Sequence, residues 1–212
     1  MFVLIIMQRI YFRNRTLTIC TEEELNTLPQ DMMLLHPSEG YELSEIPFMM
    51  EKNLSIRNLV IVAEDTPEQE LFNQIFAKVH QINAGGGLIT NNLGESLMIY
   101  RNGVWDLPKG KQEPGEEIIV TAHREVLEEV GVDAEPLKFI CTTHHTYRLE
   151  GEPFVKSTSW YLMKVDGRPE ATPQTEEGIE KCEWVTPDDL DYRLANTYGS
   201  ILEVFAKKSQ LL

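Results

Sequence analysis

One segment, from Leu107 to Val132, constrains the fold more tightly than any other part of the chain. Pro114-Gly115 predicts a turn, after which the segment is expected to be helical. Gly131 stands where a helix would end in a left-handed cap. We therefore expect a helix from about Glu116 to Val130. At about 100° per residue, one arc of that helix is aliphatic and must face a core. The arc comprises Ile118, Ile119, Ala122, Val126 and Val130.

A second arc of the same helix is acidic and overlaps the edge of the aliphatic one. It holds Glu125, Glu128 and Glu129. Like charges three or four residues apart destabilise a helix by about 0.2–0.5 kcal/mol per pair, and by more where burial lowers the dielectric. A divalent cation would offset this repulsion, and carboxylate oxygens suit Mg²⁺ or Mn²⁺. The alternative is a solvated acidic face helped by Arg124, which is the commoner outcome for so short a run.

The whole window carries a longer pattern than the acidic run alone. It fits Gly-x5-Glu-x7-Arg-Glu-U-x-Glu-Glu-x-Gly-U, where U is aliphatic, and every fixed position matches. The matching residues are Gly110, Glu116, Arg124, Glu125, Val126, Glu128, Glu129, Gly131 and Val132. This segment resembles the Nudix box of the Nudix hydrolases. The resemblance covers about Ala84 to Leu212 as a domain, although its specific part is only the box.

The resemblance implies a chemistry and roles for the matching residues. Nudix enzymes hydrolyse a nucleoside diphosphate linked to another group and use a divalent metal, Mg²⁺ or Mn²⁺. The resemblance implies that Glu125, Glu128 and Glu129 are metal ligands, with the carbonyl of Gly110 as a further ligand. Glu128 or Glu129 is the favoured proton acceptor for the attacking water.

Two further pairs of residues follow from the same resemblance. Glu116 and Arg124 are expected to brace the loop against the helix, which amounts to nearly the same claim as a structural salt bridge. Glu176 and Glu177, in a later loop, are the second choice for the catalytic base.

Cations and aromatic rings around the box are candidate substrate contacts, because a polyphosphate needs positive charge at the mouth of an acidic site. The candidates are Arg101, Trp105, Lys109, Lys111, Tyr147 and Lys156. For each lysine, a solvated side chain is an equal alternative. Trp105 would stack on a base or pack under the loop, and packing is the commoner role of a lone aromatic.

The substrate branch is suggested by two weaker signals. The lead-in W-x-L-P-K-G-K and the position of Tyr147 resemble the Nudix enzymes that act on dinucleoside polyphosphates or diphosphoinositol polyphosphates. In "TTHHTYR", strand alternation places His145 with Tyr147 on one face and His144 with Arg148 on the other. An ADP-ribose or nucleotide-sugar pyrophosphatase is a lower-ranked branch. A ligand sensor or regulator of the same fold is an alternative from a different class.

Charge and cysteine content limit the partners and the compartment. The formal net charge is −15, with 34 acidic and 19 basic residues, which argues against a broad nucleic-acid or anionic-membrane surface. An RNA 5′-end processing enzyme, which needs a basic track, is disfavoured for that reason. The three cysteines lack a CxxC pattern, and we expect reduced thiols in a cytoplasmic protein. A small-molecule nucleotide is the expected partner, and a homodimer is compatible with the sequence.

The sequence predicts an α/β protein of two parts. Residues 83–212 are expected to form a Nudix-type α/β/α sandwich with a mixed sheet, preceded by a small α/β appendage of unknown role at residues 1–82. The glycine run "GGG" near the boundary predicts either a linker or a strand with close backbone approach. "MFVLII" is interpreted as a strand, and Met7 is an alternative start to Met1.

Individual elements are predicted from periodicity and turn signals. In the first part, a hairpin turns at Arg13-Asn14, residues 21–53 form short helices and loops, and "NLVIVAE" is a buried strand. A helix follows, with Thr66 as N-cap, Pro67 at its first position and Gln69 completing a capping box. In the second part, strands are expected at residues 87–90, 95–101, 137–149, 154–165 and 180–185, with a terminal helix at about 198–207. The segment "NGVWDLPKGKQEPG" is expected to be a loop.

Overall fold

The computed structural model describes residues 7–29 and 31–211, so the predicted strand in "MFVLII" lies outside the described residues. The chain divides into two compact units. The first comprises the described part of Met1–Gln81 together with His144–Lys156, and the second comprises Ile82–Thr143 and the described part of Ser157–Leu212. Residues 144–156 are the end of a long hairpin, and their assignment to the first unit differs from the simple N-terminal appendage that the sequence predicts.

The first unit is a small mixed sheet with short helices. Its elements are β1 (Gln8–Phe12), β2 (Arg15–Cys20), α1 (Glu22–Leu25), β3 (Met33–Leu35), α2 (Ile46–Lys52), β4 (Asn58–Val62) and α3 (Glu68–Ile75). β1 and β2 form the predicted antiparallel hairpin, and β2, β4 and β3 then pair in parallel. Arg13 adopts a positive φ of 58° at the hairpin turn, as turn residues often do. Fully buried side chains such as Leu17, Ile61 and Phe76 form the core of this unit.

Two details of the first unit differ from the sequence prediction. The N-cap of α3 is Pro67 with no side-chain cap bond, so the predicted capping by Thr66 and Gln69 is wrong. Pro67 has φ −55° and ψ 140°, an extended conformation that delays the helix to Glu68. The strand β3 was not predicted, because it is only three residues long and is defined by its parallel pairing with β4.

The second unit contains the longer strands and helices. They are β5 (His80–Asn91), β6 (Ser96–Arg101), β7 (Val104–Asp106), β8 (Lys109–Lys111), α4 (Ile118–Val130), β9 (Glu135–Leu149), β10 (Glu152–Val165), β11 (Ile179–Val185), α5 (Pro187–Leu194) and α6 (Gly199–Ser209). β5 begins, and β9 and β10 meet, in residues of the first unit. In the second unit the strands run in the order β11-β6-β5-β10-β9, with β7 paired to β6 and β8 paired to β5.

Helices cover both faces of this sheet. Leu97 and Ile99 of β6 pack in one apolar cluster with Val126 of α4, whereas Met98 packs in the other with Val204 of α6. Successive residues of a strand point to opposite faces, so these two clusters lie on the two sides of the sheet. The predicted α/β fold is therefore confirmed.

The glycine run is part of β5 and is not a linker. A Cβ atom on Gly85 would lie 2.6 Å from the backbone nitrogen of Ala122, so only glycine permits α4 to approach the strand this closely. Of the predicted aliphatic arc, Ile119 is 39% exposed and its inward assignment was wrong. The segment predicted to be a loop contains the short strands β7 and β8, and α5 was not predicted. Among the described helices, none combines the length and apolar character that crossing a bilayer would require.

Candidate active site

The site begins where β8 passes the acidic helix. β8 pairs with the glycine run of β5, with Gly110 opposite Gly85. A Cβ atom on Gly110 would lie 1.8 Å from Oε2 and 2.0 Å from Cδ of Glu125. The Glu125 carboxylate therefore lies directly against the main chain of Gly110, in space that any other residue would fill. This contact explains why the position needs glycine.

Arg124 joins the loop to the helix, as the sequence predicts. Its Nε and Nη2 atoms donate to Oε1 and Oε2 of Glu116, both at 2.9 Å. Nη2 also donates to the carbonyl of Lys111 at 3.1 Å, and Thr121 Oγ1 donates to Glu116 Oε2 at 2.7 Å. The hydrogen bonds from Arg124 and then Thr121 lower the pKa of Glu116 to about 2. This carboxylate is therefore ionised over the whole physiological range.

The third nitrogen of Arg124 contacts the acidic arc. Nη1 donates to Glu125 Oε1 at 2.8 Å and to Glu128 Oε2 at 2.9 Å. Two of the predicted metal ligands therefore share one positive charge. Glu128 is half exposed, at 49% of its side chain, whereas Glu125 is 13% exposed.

The third acidic residue of the arc is buried. Glu129 is 3% exposed, and its Oε2 accepts the backbone N–H of Lys109 at 2.8 Å while Oε1 accepts from Arg101 Nη1 at 3.2 Å. Burial raises the pKa of Glu129, and the charges of Lys109 and Arg101 oppose that rise.

The donor set suits a hard divalent cation. Three carboxylates and the adjacent main chain at Gly110 offer only oxygen, the ligand that Mg²⁺ and Mn²⁺ prefer. Within residues 7–29 and 31–211, however, no three His, Cys, Asp or Glu side chains already converge in a metal-holding arrangement. Arg124 Nη1 lies where it holds two of the carboxylates, so a bound ion would compete with that nitrogen. Because the same guanidinium also pairs with Glu116, Arg124 would stay in place after its Nη1 releases the Glu125 and Glu128 carboxylates.

The predicted phosphate-binding cations separate into two groups. Arg101 and Lys109 are committed to internal ion pairs, and Lys109 is only 7% exposed. The interpretation of Lys109 as a phosphate contact projecting from the loop is therefore not supported by its position. Lys111, on the other side of Gly110, is exposed.

Trp105 takes the packing role rather than an exposed stacking role. It is 6% exposed in the apolar cluster below β6 and β7, with the ring of Tyr100 at 5.2 Å. The cationic groups of Lys181 and Arg193 lie 4.8 and 4.9 Å from its ring centroid.

Tyr147 and Lys156 belong to the first unit. There the ring of Tyr147 stacks on Phe154 at 5.4 Å and lies 5.9 Å from His145, as the predicted shared face of His145 and Tyr147 implies. His144 instead is buried against Phe72 at 4.9 Å, and burial lowers its pKa to about 4.

Two acidic features lie outside the acidic arc of α4. Glu176 and Glu177 lie in an exposed 3₁₀ turn, Thr175–Glu177. Asp106, which no sequence motif marks, is 1% exposed and pairs with both Arg101 and Lys109. Its only sequence signal was the spacing of three between Asp106 and Lys109, which is common on any polar loop.

Fold and site together define the class: an α/β domain in which an acidic helix packs against a glycine-containing loop through an arginine–glutamate brace. The model of the NUDIX domain family matches residues 79–205. The chain therefore belongs to the NUDIX domain family.

Curated relatives match about half of this chain. Nudix hydrolase 10 of Arabidopsis thaliana is 32% identical over a 117-residue alignment that covers 52% of this chain and 39% of that protein. The NAD-capped RNA hydrolase NudC of Stutzerimonas stutzeri is 34% identical over 102 residues, 46% of this chain and 34% of the relative. The chain thus spans well under two thirds of the length of both.

A solved structure supports the fold. The NUDIX domain of Shewanella oneidensis NrtR, complexed with ADP ribose, matches 64% of this chain and 92% of its own with a TM-score of 0.52 and 16% identity.

Proposed function

We propose that this protein is a metal-dependent hydrolase that cleaves a phosphoanhydride bond in a nucleoside diphosphate-linked substrate. The observation that carries the proposal is the Glu125 carboxylate lying directly against Gly110, on the same helix as Glu128 and Glu129. Membership of the NUDIX domain family supports the same chemistry.

The acidic residues of the site have two proposed roles, metal binding and proton transfer. Glu125, Glu128 and Glu129 would hold Mg²⁺ or Mn²⁺, with the Gly110 carbonyl as a further ligand. When bound, the ion supplies neutralisation of charge on the phosphate oxygens and a more acidic water. Glu128 accepts the proton of the attacking water, because its carboxylate reaches solvent whereas both oxygens of Glu129 are hydrogen-bonded.

Other residues position the loop and the substrate. The bidentate pair of Arg124 and Glu116, with the bond from Arg124 to the Lys111 carbonyl, keeps the loop at a fixed distance from the helix. Lys111, exposed next to Gly110, contacts the phosphates.

For the substrate we propose a dinucleoside polyphosphate or a related nucleotide, supported by the W-x-L-P-K-G-K lead-in and by Tyr147. ADP-ribose and nucleotide sugars are the alternative substrates. We propose a cytoplasmic location, as the spacing of the three cysteines in the sequence suggests.

A ligand-sensing role is the second candidate, and the contact of Arg124 with two carboxylates favours it. In a hydrolase, a metal ion would have to displace the Arg124 nitrogen from the two carboxylates, whereas a sensor could keep that contact.

A substrate panel separates the two candidates. Dinucleoside polyphosphates, ADP-ribose, nucleotide sugars, nucleoside triphosphates and NAD-capped RNA are incubated with Mg²⁺ or Mn²⁺, and the released products are resolved by chromatography. We expect cleavage of at least one substrate, and its loss in the double variant Glu128→Gln/Glu129→Gln. Glu117→Gln, which removes an exposed charge just before the same helix, is the matched control and should retain activity. Equal rates in the double variant and the control would refute the mechanism.

A further inference from the structure

Asp106, at the end of β7, is the centre of a buried ionic cluster. Its Oδ2 accepts from Lys109 Nζ at 2.5 Å and from Arg101 Nε and Nη2 at 3.3 and 3.2 Å. Its Oδ1 accepts the backbone N–H of Leu107 at 2.8 Å. Each oxygen of a carboxylate that is 1% exposed is therefore satisfied by the protein.

Glu129 lies in the same cluster but receives different donors. Lys109 gives Glu129 its backbone N–H, at 2.8 Å, and gives its ammonium group to Asp106. Arg101 divides its guanidinium, with Nη1 on Glu129 and the opposite edge on Asp106. Buried Lys109 and partly buried Arg101 thus face two buried carboxylates, and Asp106 takes the larger share of the positive charge.

We propose that Asp106 is a positioning residue that reserves Glu129 for the metal ion. Buried charges do not remain unpaired, so a Lys109 ammonium deprived of Asp106 would turn to the nearest remaining carboxylate of the cluster. That carboxylate is Glu129, which already contacts the backbone of Lys109 and the side chain of Arg101. An ammonium group on Glu129 would occupy an oxygen that the proposed function assigns to Mg²⁺ or Mn²⁺. This inference rests on that function.

A purely structural role for Asp106 makes a different prediction. If Asp106 only neutralises the cluster and accepts the Leu107 N–H, its loss should destabilise the fold. Metal affinity should then stay unchanged, or fall in a way that no second substitution restores. If Asp106 diverts Lys109, then removal of the Lys109 ammonium should restore the affinity that the loss of Asp106 destroys. The two roles are therefore separable by a double-mutant cycle.

The experiment measures Mn²⁺ binding to the metal-free protein by electron paramagnetic resonance of the free ion, without substrate. The set comprises the wild type, Glu129→Gln, Asp106→Asn, Lys109→Met and the double variant Asp106→Asn/Lys109→Met, each checked for folding by circular dichroism. We expect Asp106→Asn to weaken Mn²⁺ binding about tenfold or more, in the range known for residues that orient metal ligands. The double variant should recover to within about threefold of the wild type, since Lys109→Met removes the competing cation.

Each outcome bears on one claim. Unchanged affinity in Asp106→Asn, or a double variant no better than Asp106→Asn, overturns the inference. If Asp106→Asn does not fold, the double variant is compared with Lys109→Met: equal affinity supports the inference, and a tenfold deficit overturns it. Absence of Mn²⁺ binding by the wild type, or wild-type affinity in Glu129→Gln, instead defeats the proposed metal site itself.

Discussion

The substitution Gly110→Ala tests the geometry of the site with the smallest possible change. The added Cβ would lie 1.8 Å from Oε2 and 2.4 Å from Oε1 of Glu125. Ordinary contact between heavy atoms needs about 3.5 Å, so the carboxylate must move by roughly 1.5–2 Å. The obstacle is the end of a side chain and not backbone, and Gly110 does not lie in the left-handed region, so the fold should lose about 1 kcal/mol, the lower end of overpacking costs.

Activity should respond far more than stability. A displacement of about 1 Å in a catalytic group costs on the order of 100-fold in rate, which corresponds to about 2.7 kcal/mol in the activation free energy. We therefore expect kcat/KM for the best substrate of the panel to fall about 100-fold in Gly110→Ala. Steady-state kinetics and urea unfolding measure the two effects on the same preparation.

The double variant Gly110→Ala/Glu125→Ala is the control for this reasoning. Without the Glu125 carboxylate the methyl group has nothing to displace, so the double variant should be no less active than Glu125→Ala alone. Full activity in Gly110→Ala would refute the reasoning, and so would two independent losses that multiply in the double variant.

Three further predictions concern stability. Gly85→Ala should lower the free energy of unfolding in urea by about 3 kcal/mol, at the upper end of overpacking costs. The reason is that its Cβ would meet backbone atoms of α4, with Ala122 N at 2.6 Å. A loss under about 1 kcal/mol would contradict the close approach of strand and helix. The pKa of Glu116 is lowered to about 2 by Arg124, so the pair stabilises the folded state above about pH 4.5, and this contribution disappears as the pH falls toward 2. The urea midpoints of the wild type and Glu116→Gln should therefore converge over that interval, and a constant difference would argue against the pair. Burial lowers the pKa of His144 to about 4, so between about pH 6.5 and 4 the unfolded chain takes up a proton that the folded chain does not. The free energy of unfolding of the wild type should therefore fall by up to about 3 kcal/mol as the pH is lowered across that window. His144→Gln should lack this decrease.

The parts of the site that the sequence could predict are local in the chain. Glu116 and Arg124 are eight residues apart, at the beginning and middle of one loop-and-helix segment, and the structure joins them by two hydrogen bonds of 2.9 Å. Gly131 ends α4 in a left-handed conformation with φ 69°, as the punctuation of the segment predicts. Such features depend on helix geometry, which a sequence pattern specifies directly.

The ionic cluster around Asp106 could not be predicted in the same way. It requires β7 to pair with β6, so that Asp106 lies opposite Ile99 and near Arg101, and it requires α4 to bring Glu129 to the same place. Spacing along the chain carries no information about either contact. Trp105 illustrates a related limit, because periodicity cannot distinguish a buried aromatic from an exposed stacking surface.

The division of the chain shows a third limit. Residues 144–156 continue the alternating pattern of β9 and β10, yet they belong to the first unit, where β1 pairs in parallel with β9 at Ile10 and His144. A strand pattern predicts that a segment is extended, but the identity of its partner strand depends on long-range contacts. In α4, the exposed position of Ile119 shows that the buried arc of the helix is narrower than the hydrophobicity pattern implies.

The central claim is that the acidic arc of α4 holds a divalent cation, and a crystal structure with Mn²⁺ tests it most directly. Diffraction data collected at the manganese absorption edge locate the ion directly. We predict an anomalous peak within about 2.1–2.3 Å of carboxylate oxygens of Glu125, Glu128 and Glu129, with Arg124 Nη1 displaced from the first two. Saturating Mn²⁺ with no peak on this helix, and Arg124 still bonded to both carboxylates, would contradict the account.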